Sequence, residues 1–382
     1  MTKTLSLIVS TLGLAFTACG GNHGAAPDAA PPVDAPAGPP RAVVVAGDFG
    51  PGHPGVLSTF DPATLAVTMN AGPAMAVGDD PILRHFGGEL FIVNRSDGNN
   101  VTILNDQTLA LEEQLGTGAG SNPQDVAVTG NKLYVATFGG QGLVMLTRGQ
   151  ATITTIDLSQ DDPDGKPNCN SVYLVGSNLY VSCELLDDTN KFVPRGPGKV
   201  YVVDTATNAI KTTLTLGHPN PFGVFEQIPA DVPPGITGEL VMPTVLFADG
   251  SGCVERIKTG PQPAAAGCMM NNTDLQGYAS RLAFQVDKSK GVGITWIATP
   301  TTFPNADLRA YDMPTNALWA GPLNPSTEAI GDLAICPGGE LVVADTTTNA
   351  NGLRLYNNAA ELTKSVLPIG LPPSSTHGIV CY

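Results

Sequence analysis

From Ala42 onward the apolar residues fall in short runs rich in Val, Ile, Leu and Tyr, each bounded by Gly, Asn, Asp or Pro. Runs of that length and composition between turn residues read as β-strands. No long stretch keeps the period of an amphipathic helix, and 44 Gly with 33 Pro would interrupt one. The pattern predicts an all-β chain.

The runs also repeat in order. QDVAVTG, KLYVATF, GLVMLTR and ATITTIDL, starting at Gln124, return as NSVYLVG, NLYVSCE, KVYVVDTAT and AIKTTLTLG between Asn170 and Gly217. They return again as GDLAICPGG, ELVVADT, GLRLYNN and ELTKSVLPIG between Gly331 and Gly370. A weaker copy spans Pro81 to Gly116, and two degenerate ones follow Gly223 and Arg281. Units therefore start near positions 79, 122, 168, 219, 277 and 329, an interval of roughly 40–60 residues that suits a four-stranded propeller blade. Before the first unit there are only three strands, AVVVAGD, GVLSTFD and LAVTMNAG, and after the last only one, THGIVCY. Joining that C-terminal strand to the first three completes another four-stranded antiparallel blade. The ring then closes without exposed edges. The expectation is a seven-bladed β-propeller over residues 41–382, against an irregular sandwich or a pair of smaller barrels.

The repeat also pairs six of the seven cysteines. Cys169 opens an inner strand and Cys183 ends the next, so they face each other within one blade. Cys253 and Cys268 flank the third and fourth strands of another, while Cys336 and Cys381 fall at matching places on the inner strands that meet at the closure. An exported chain with an even number of remaining thiols suggests disulfides, and the spacings lack the Cys-x-x-Cys knuckles of a zinc site.

Leu133-Tyr134-Val135-Ala136-Thr137, Leu179-Tyr180-Val181-Ser182 and Phe91-Ile92-Val93-Asn94, with turns such as Asp204-Thr205-Ala206-Thr207, resemble the Tyr-Val-Thr-Asn family of propeller repeats. That resemblance implies an extracellular propeller and no single activity, because such rings host binding modules, lactonases and scaffolds alike.

The chain begins with one cation at Lys3 and an apolar stretch from Leu5 to Phe16, which has the order of a secretory signal over residues 1–18. Phe16-Thr17-Ala18-Cys19 resembles a bacterial lipobox, which implies that Cys19 is lipidated and becomes the mature N-terminus. Residues 20–40 are rich in Pro and Ala and hold no large apolar side chain beyond Val33, so residues 19–40 read as a lipidated tether. Gly20 beside the anchor suits sorting to the outer membrane, facing the periplasm or the cell surface.

The formal charge is −15, from 19 Lys and Arg against 34 Asp and Glu. Such a surface repels phosphate backbones, so nucleic acid is not an expected partner. The membrane, reached through the anchor, and an envelope protein or glycan are, and the closed ring is expected to act as a monomer.

Propellers hold ligands at the channel mouth, just before each inner strand. In this register the mouth collects Asp80, Gln124, Asp125, Asn170, Arg281, Asp332 and His377. Asp125, Asp332 and Asn170, with Asp80, are hard oxygen donors suited to Ca²⁺ or Mg²⁺, and His377 could act as a general base. Lactonases of the gluconolactonase and regucalcin type use such an acidic site. The plainer expectation is that Arg281 neutralises two carboxylates around a water-filled pore. Asp162-Pro163-Asp164-Gly165 resembles the front of a calcium loop but lacks the later Glu and the flanking helices, and so reads as a solvated loop. Trp296 and Trp319 are expected in the core of the sixth repeat. There is no His-Glu-x-x-His, Gly-x-Ser-x-Gly or phosphate-binding loop.

These features favour a lipid-anchored envelope module that binds rather than turns over its ligand. Its contact surface would include the long insert at residues 185–198. The alternative is a divalent-metal-dependent lactonase or esterase-like hydrolase at the channel mouth.

Overall fold

The computed structural model describes residues 41–48, 54–230, 236–287, 292–302, 304–325 and 327–382. Cys19, the signal segment and the tether lie outside the described residues. The described chain forms a seven-bladed propeller of four-stranded antiparallel sheets, with a small hairpin of Leu186–Asp187 and Val193–Pro194 and short helical turns at Ser159–Asp161 and Asn272–Leu275.

Blade 1 is the composite one. Its innermost strand is the C-terminal Ile379–Cys381, paired to Ala42–Ala46, followed outward by Val56–Phe60 and Val67–Thr68. The innermost strands of blades 2 to 7 are Pro81–Phe86, Pro123–Thr129, Cys169–Val175, Glu226–Gln227, Arg281–Asp287 and Ile330–Ile335. The closure expected from the three-plus-one strand count is therefore present, and no open sandwich forms.

Alternation along a strand explains where the core sits. Val43 and Val45 pack toward blade 2 while Ala42, Val44 and Ala46 pack toward blade 7. Each interface between adjacent blades has its own buried apolar cluster. Both faces of every blade are thus covered, which is why second strands such as LYVAT and LVVAD read as unbroken apolar runs instead of an in–out alternation.

All three disulfides join the expected partners: Cys169–Cys183, Cys253–Cys268 and Cys336–Cys381. The last links the inner strands of blades 7 and 1 with Cα atoms 4.8 Å apart. Trp296 is fully buried as expected. Trp319 departs from expectation: it lies on the outer strand of blade 6, is 42% exposed, and meets Trp296 edge-on. An outermost strand has only one neighbour and cannot be enclosed.

Candidate functional site at the ring axis

Inner strands run from one face of the ring, here called the upper face, to the other. Residues at or just before their starts cross the upper end of the axis, and the strand bodies wall a cavity of about 520 Å³. Arg84, His377, Glu226 and Tyr173 line it together with Val128, Leu174, Phe284, Ile335 and Val380, among others. A water-sized void of about 10 Å³ lies beside it, and Glu226 and His377 line both. The cavity thus mixes apolar side chains with polar ones in about equal measure, and Glu226 and His377 stand where it meets the smaller void.

The upper end is organised by Asp125, which is fully buried. Its Oδ1 accepts from Arg84 Nε at 2.7 Å and from the Val126 amide at 2.8 Å. Its Oδ2 accepts from Arg84 Nη2 and Ser171 Oγ, both at 2.8 Å, and from the Val172 amide at 3.0 Å. Ser171 Oγ in turn accepts from the Phe225 amide at 3.0 Å. One bonded chain therefore crosses from blade 2 through blades 3 and 4 to blade 5. Burial alone would lower the Arg84 pKa, but the Asp125 carboxylate, with smaller contributions from Glu226 and Tyr173, offsets it and the net shift is upward. A bidentate, charge-assisted pair of this kind is strong only while both members are present.

Asp332 has the same task at the closure. Its Oδ2 accepts from the amides of Gly378 at 2.7 Å and Ile379 at 3.1 Å, tying blade 7 to the C-terminal strand. Arg281 Nε stands 3.9 Å from its other oxygen. Burial raises the Asp332 pKa and lowers that of Arg281 to about 10. Arg281 also donates to the carbonyls of Ser280 and Ser375. Asn170 is committed as well, donating to the carbonyls of Pro221 and Gly223 and accepting from Ser182 Oγ at 2.6 Å. Asp80 pairs with Arg95, which reaches Gln124 Oε1 at 3.2 Å.

The expected mouth residues thus all lie near the upper face, but they do not converge on one point. Each carboxylate has its own arginine: Asp80 with Arg95, Asp125 with Arg84, and Asp332 with Arg281. Arg281 was expected to neutralise two carboxylates and pairs with one. Asp125 and Asp332 direct oxygens at amides, a hydroxyl and a guanidinium, which makes them joints between blades.

His377 has both ring nitrogens engaged. Nδ1 lies 3.1 Å from the Leu83 carbonyl, which can only accept, and Nε2 lies 2.7 Å from Arg84 Nη1, which can only donate. A ring protonated on Nδ1 with its Nε2 lone pair toward Arg84 satisfies both contacts. A general base at Nε2 would have to give up the Arg84 contact before taking a proton from water.

Three participants were not singled out from the sequence: Arg84, Arg95 and Glu226. A lone arginine inside an otherwise apolar inner strand, as in PILRHF, is a signal that would have found Arg84. Glu226 had no such signal, because its strand is only two residues long and belongs to a degenerate repeat. Its carboxylate lies 3.5 Å from His377 Nε2 and is 30% exposed. Among the described residues it forms no ion pair with a Lys or Arg.

No protein-family model matches the sequence, and no curated protein does. Solved structures do match in shape. A putative 6-phosphogluconolactonase from Bacteroides uniformis aligns with TM-score 0.61 at 12% identity, over 90% of this chain and 100% of that one. The Pseudomonas aeruginosa periplasmic gluconolactonase PpgL aligns with TM-score 0.57 at 16% identity, over 90% and 98%. The Cps50 (Swd1) propeller domain of Myceliophteria thermophila aligns with TM-score 0.59 at 13% identity, over 82% and 93%. At such identities the likeness establishes the fold, a seven-bladed propeller, and nothing finer.

Proposed function

We propose that this chain is a small-molecule-binding propeller whose ligand site is the axial cavity, displayed at the outer membrane by a lipid on Cys19. The observation that carries the binding site is Glu226: a carboxylate with no Lys or Arg ion pair among the described residues, on the wall of a chamber of about 520 Å³. That volume falls in the usual range for ligand pockets, and apolar walls with a few convergent polar groups are their common form. The lipobox-like Phe16-Thr17-Ala18-Cys19 supports the address, and the repeats around Tyr134 and Tyr180 support kinship with Tyr-Val-Thr-Asn propellers. The test of the chamber is obstruction. Val128→Trp should place an indole in the cavity and abolish small-molecule binding measured by calorimetry, while circular dichroism stays unchanged. Retained binding in a folded Val128→Trp protein would refute the site.

Hydrolysis of a lactone is the second reading, favoured by Glu226, whose carboxylate is free to activate a water, and by the lactonase names among the structural neighbours. Here it is drawn without a divalent metal at Asp125 or Asp332, since Ca²⁺ or Mg²⁺ there would have to displace the Arg84 pair or the closure amides. Acid release from D-glucono-1,5-lactone above background, lost in Glu226→Gln, would support this reading. Release unaffected by Glu226→Gln would remove it.

A further inference from the structure

The charged groups around the cavity can be matched one against another. Arg84 is bonded to Asp125 through two nitrogens, Arg281 stands against Asp332, and Arg95 holds Asp80. His377 touches the Leu83 carbonyl and the Arg84 guanidinium, with the Glu226 carboxylate 3.5 Å from its Nε2. Among the described residues Glu226 has no Lys or Arg ion pair, and its charge reaches its neighbours: burial first, and then the Glu226 carboxylate, raises the pKa of the Tyr173 hydroxyl. The chamber therefore meets a carboxylate without a Lys or Arg partner next to a tyrosine ring, with Val128, Leu174, Phe284, Ile335 and Val380 also on its walls.

From this we infer that the chamber selects an organic monocation, an ammonium group on an apolar body. The inference rests on the proposal that the axial cavity is the ligand site. An ammonium meets the charge of Glu226, can donate to its carboxylate, and gains from aromatic faces as a cation does. The apolar body covers the side chains that the chamber otherwise leaves to water. A carboxylate ligand would oppose Glu226 and find Arg84 already engaged. A bare divalent cation would find a single free carboxylate where Ca²⁺ takes six to eight oxygens.

The experiment is a calorimetric titration of the full chain at pH 7 with hexylamine, hexan-1-ol and hexanoate, three probes sharing one apolar body. Hexylamine is expected to bind at least about tenfold more tightly than hexan-1-ol, with hexanoate weakest. Glu226→Gln should erase the amine's advantage and leave the alcohol's affinity in place. Equal affinity for amine and alcohol, tighter binding of hexanoate, or an unchanged amine affinity in Glu226→Gln would overturn the cation assignment. If binding in those cases is still abolished by Val128→Trp or by Leu174→Trp, the chamber stands as the site and only its charge preference is wrong. If none of the three probes binds, or if both folded tryptophan variants bind as the native chain does, the chamber itself is refuted along with the inference.

Discussion

The two sides of the channel differ in what their polar groups do. On the side built by blades 2, 3 and 4, Asp125 accepts five hydrogen bonds and joins Arg84, Ser171 and the backbone of the next blade into one chain. On the blade 5 side, Glu226 stands on a two-residue strand with no Lys or Arg paired to its carboxylate among the described residues. The regular blades devote their inner polar positions to holding the ring together. The irregular blade leaves one free, and a free buried-edge charge is what a ligand can use. The contrast can be broken from either side, and the expected effects run from several kcal/mol to almost none.

Asp125→Ala should be the most damaging change. It strands a buried guanidinium and two amides, and breaking a buried pair from one side costs about 3–5 kcal/mol, readable as a lowered urea midpoint at unchanged slope. Opening the closure by Cys336→Ser with Cys381→Ser should cost about 2–4 kcal/mol, since the bridge restricts the unfolded chain as well as joining blades 7 and 1. Ser171→Ala removes the hydroxyl between Asp125 and the Phe225 amide and should cost about 1–2 kcal/mol. Glu226→Gln should change stability by less than about 0.5 kcal/mol while abolishing the preference for an ammonium ligand. If Glu226→Gln proved as destabilising as Asp125→Ala, the contrast between the two sides would be gone.

A pH profile sharpens the same contrast away from the axis. Glu184, at the end of the second strand of blade 4, is 8% exposed, and burial raises its pKa to about 8. The folded state then binds a proton that the unfolded state has lost, so this group's contribution should decline as pH rises from about 4.5 to about 8. Glu184→Gln should flatten that decline in urea titrations taken across the interval. A slope identical to that of the native chain would show that Glu184 ionises without cost where it sits.

Much of the ring was legible in the sequence because a repeat displays the same physical solution several times. The Leu-Tyr-Val runs at 133–135 and 179–181 are second strands covered on both faces, and three strands at one end with one at the other leave a closed ring as the arrangement without edges. The cysteine pairs followed from that register. The starts of the inner strands were legible by position, which places Asp125, Asp332, Asn170 and His377 at one face of the ring, but not their pairing. Which carboxylate meets which arginine depends on side-chain reach between blades: Arg84 and Asp125 are 41 positions apart, and Arg84 and His377 293. Glu226 was hidden for the opposite reason. In a degenerate repeat no neighbouring copy marks the residue that faces the axis.

The most direct test is a crystal structure of the full chain grown with hexylamine. The account predicts elongated density along the ring axis, with the amine nitrogen at hydrogen-bonding distance, about 2.7–3.2 Å, from a Glu226 carboxylate oxygen, and the Arg84–Asp125 pair undisturbed. Water alone in the chamber, or the amine bound elsewhere on the ring with the chamber empty of it, would contradict the claim that the axis is the ligand site.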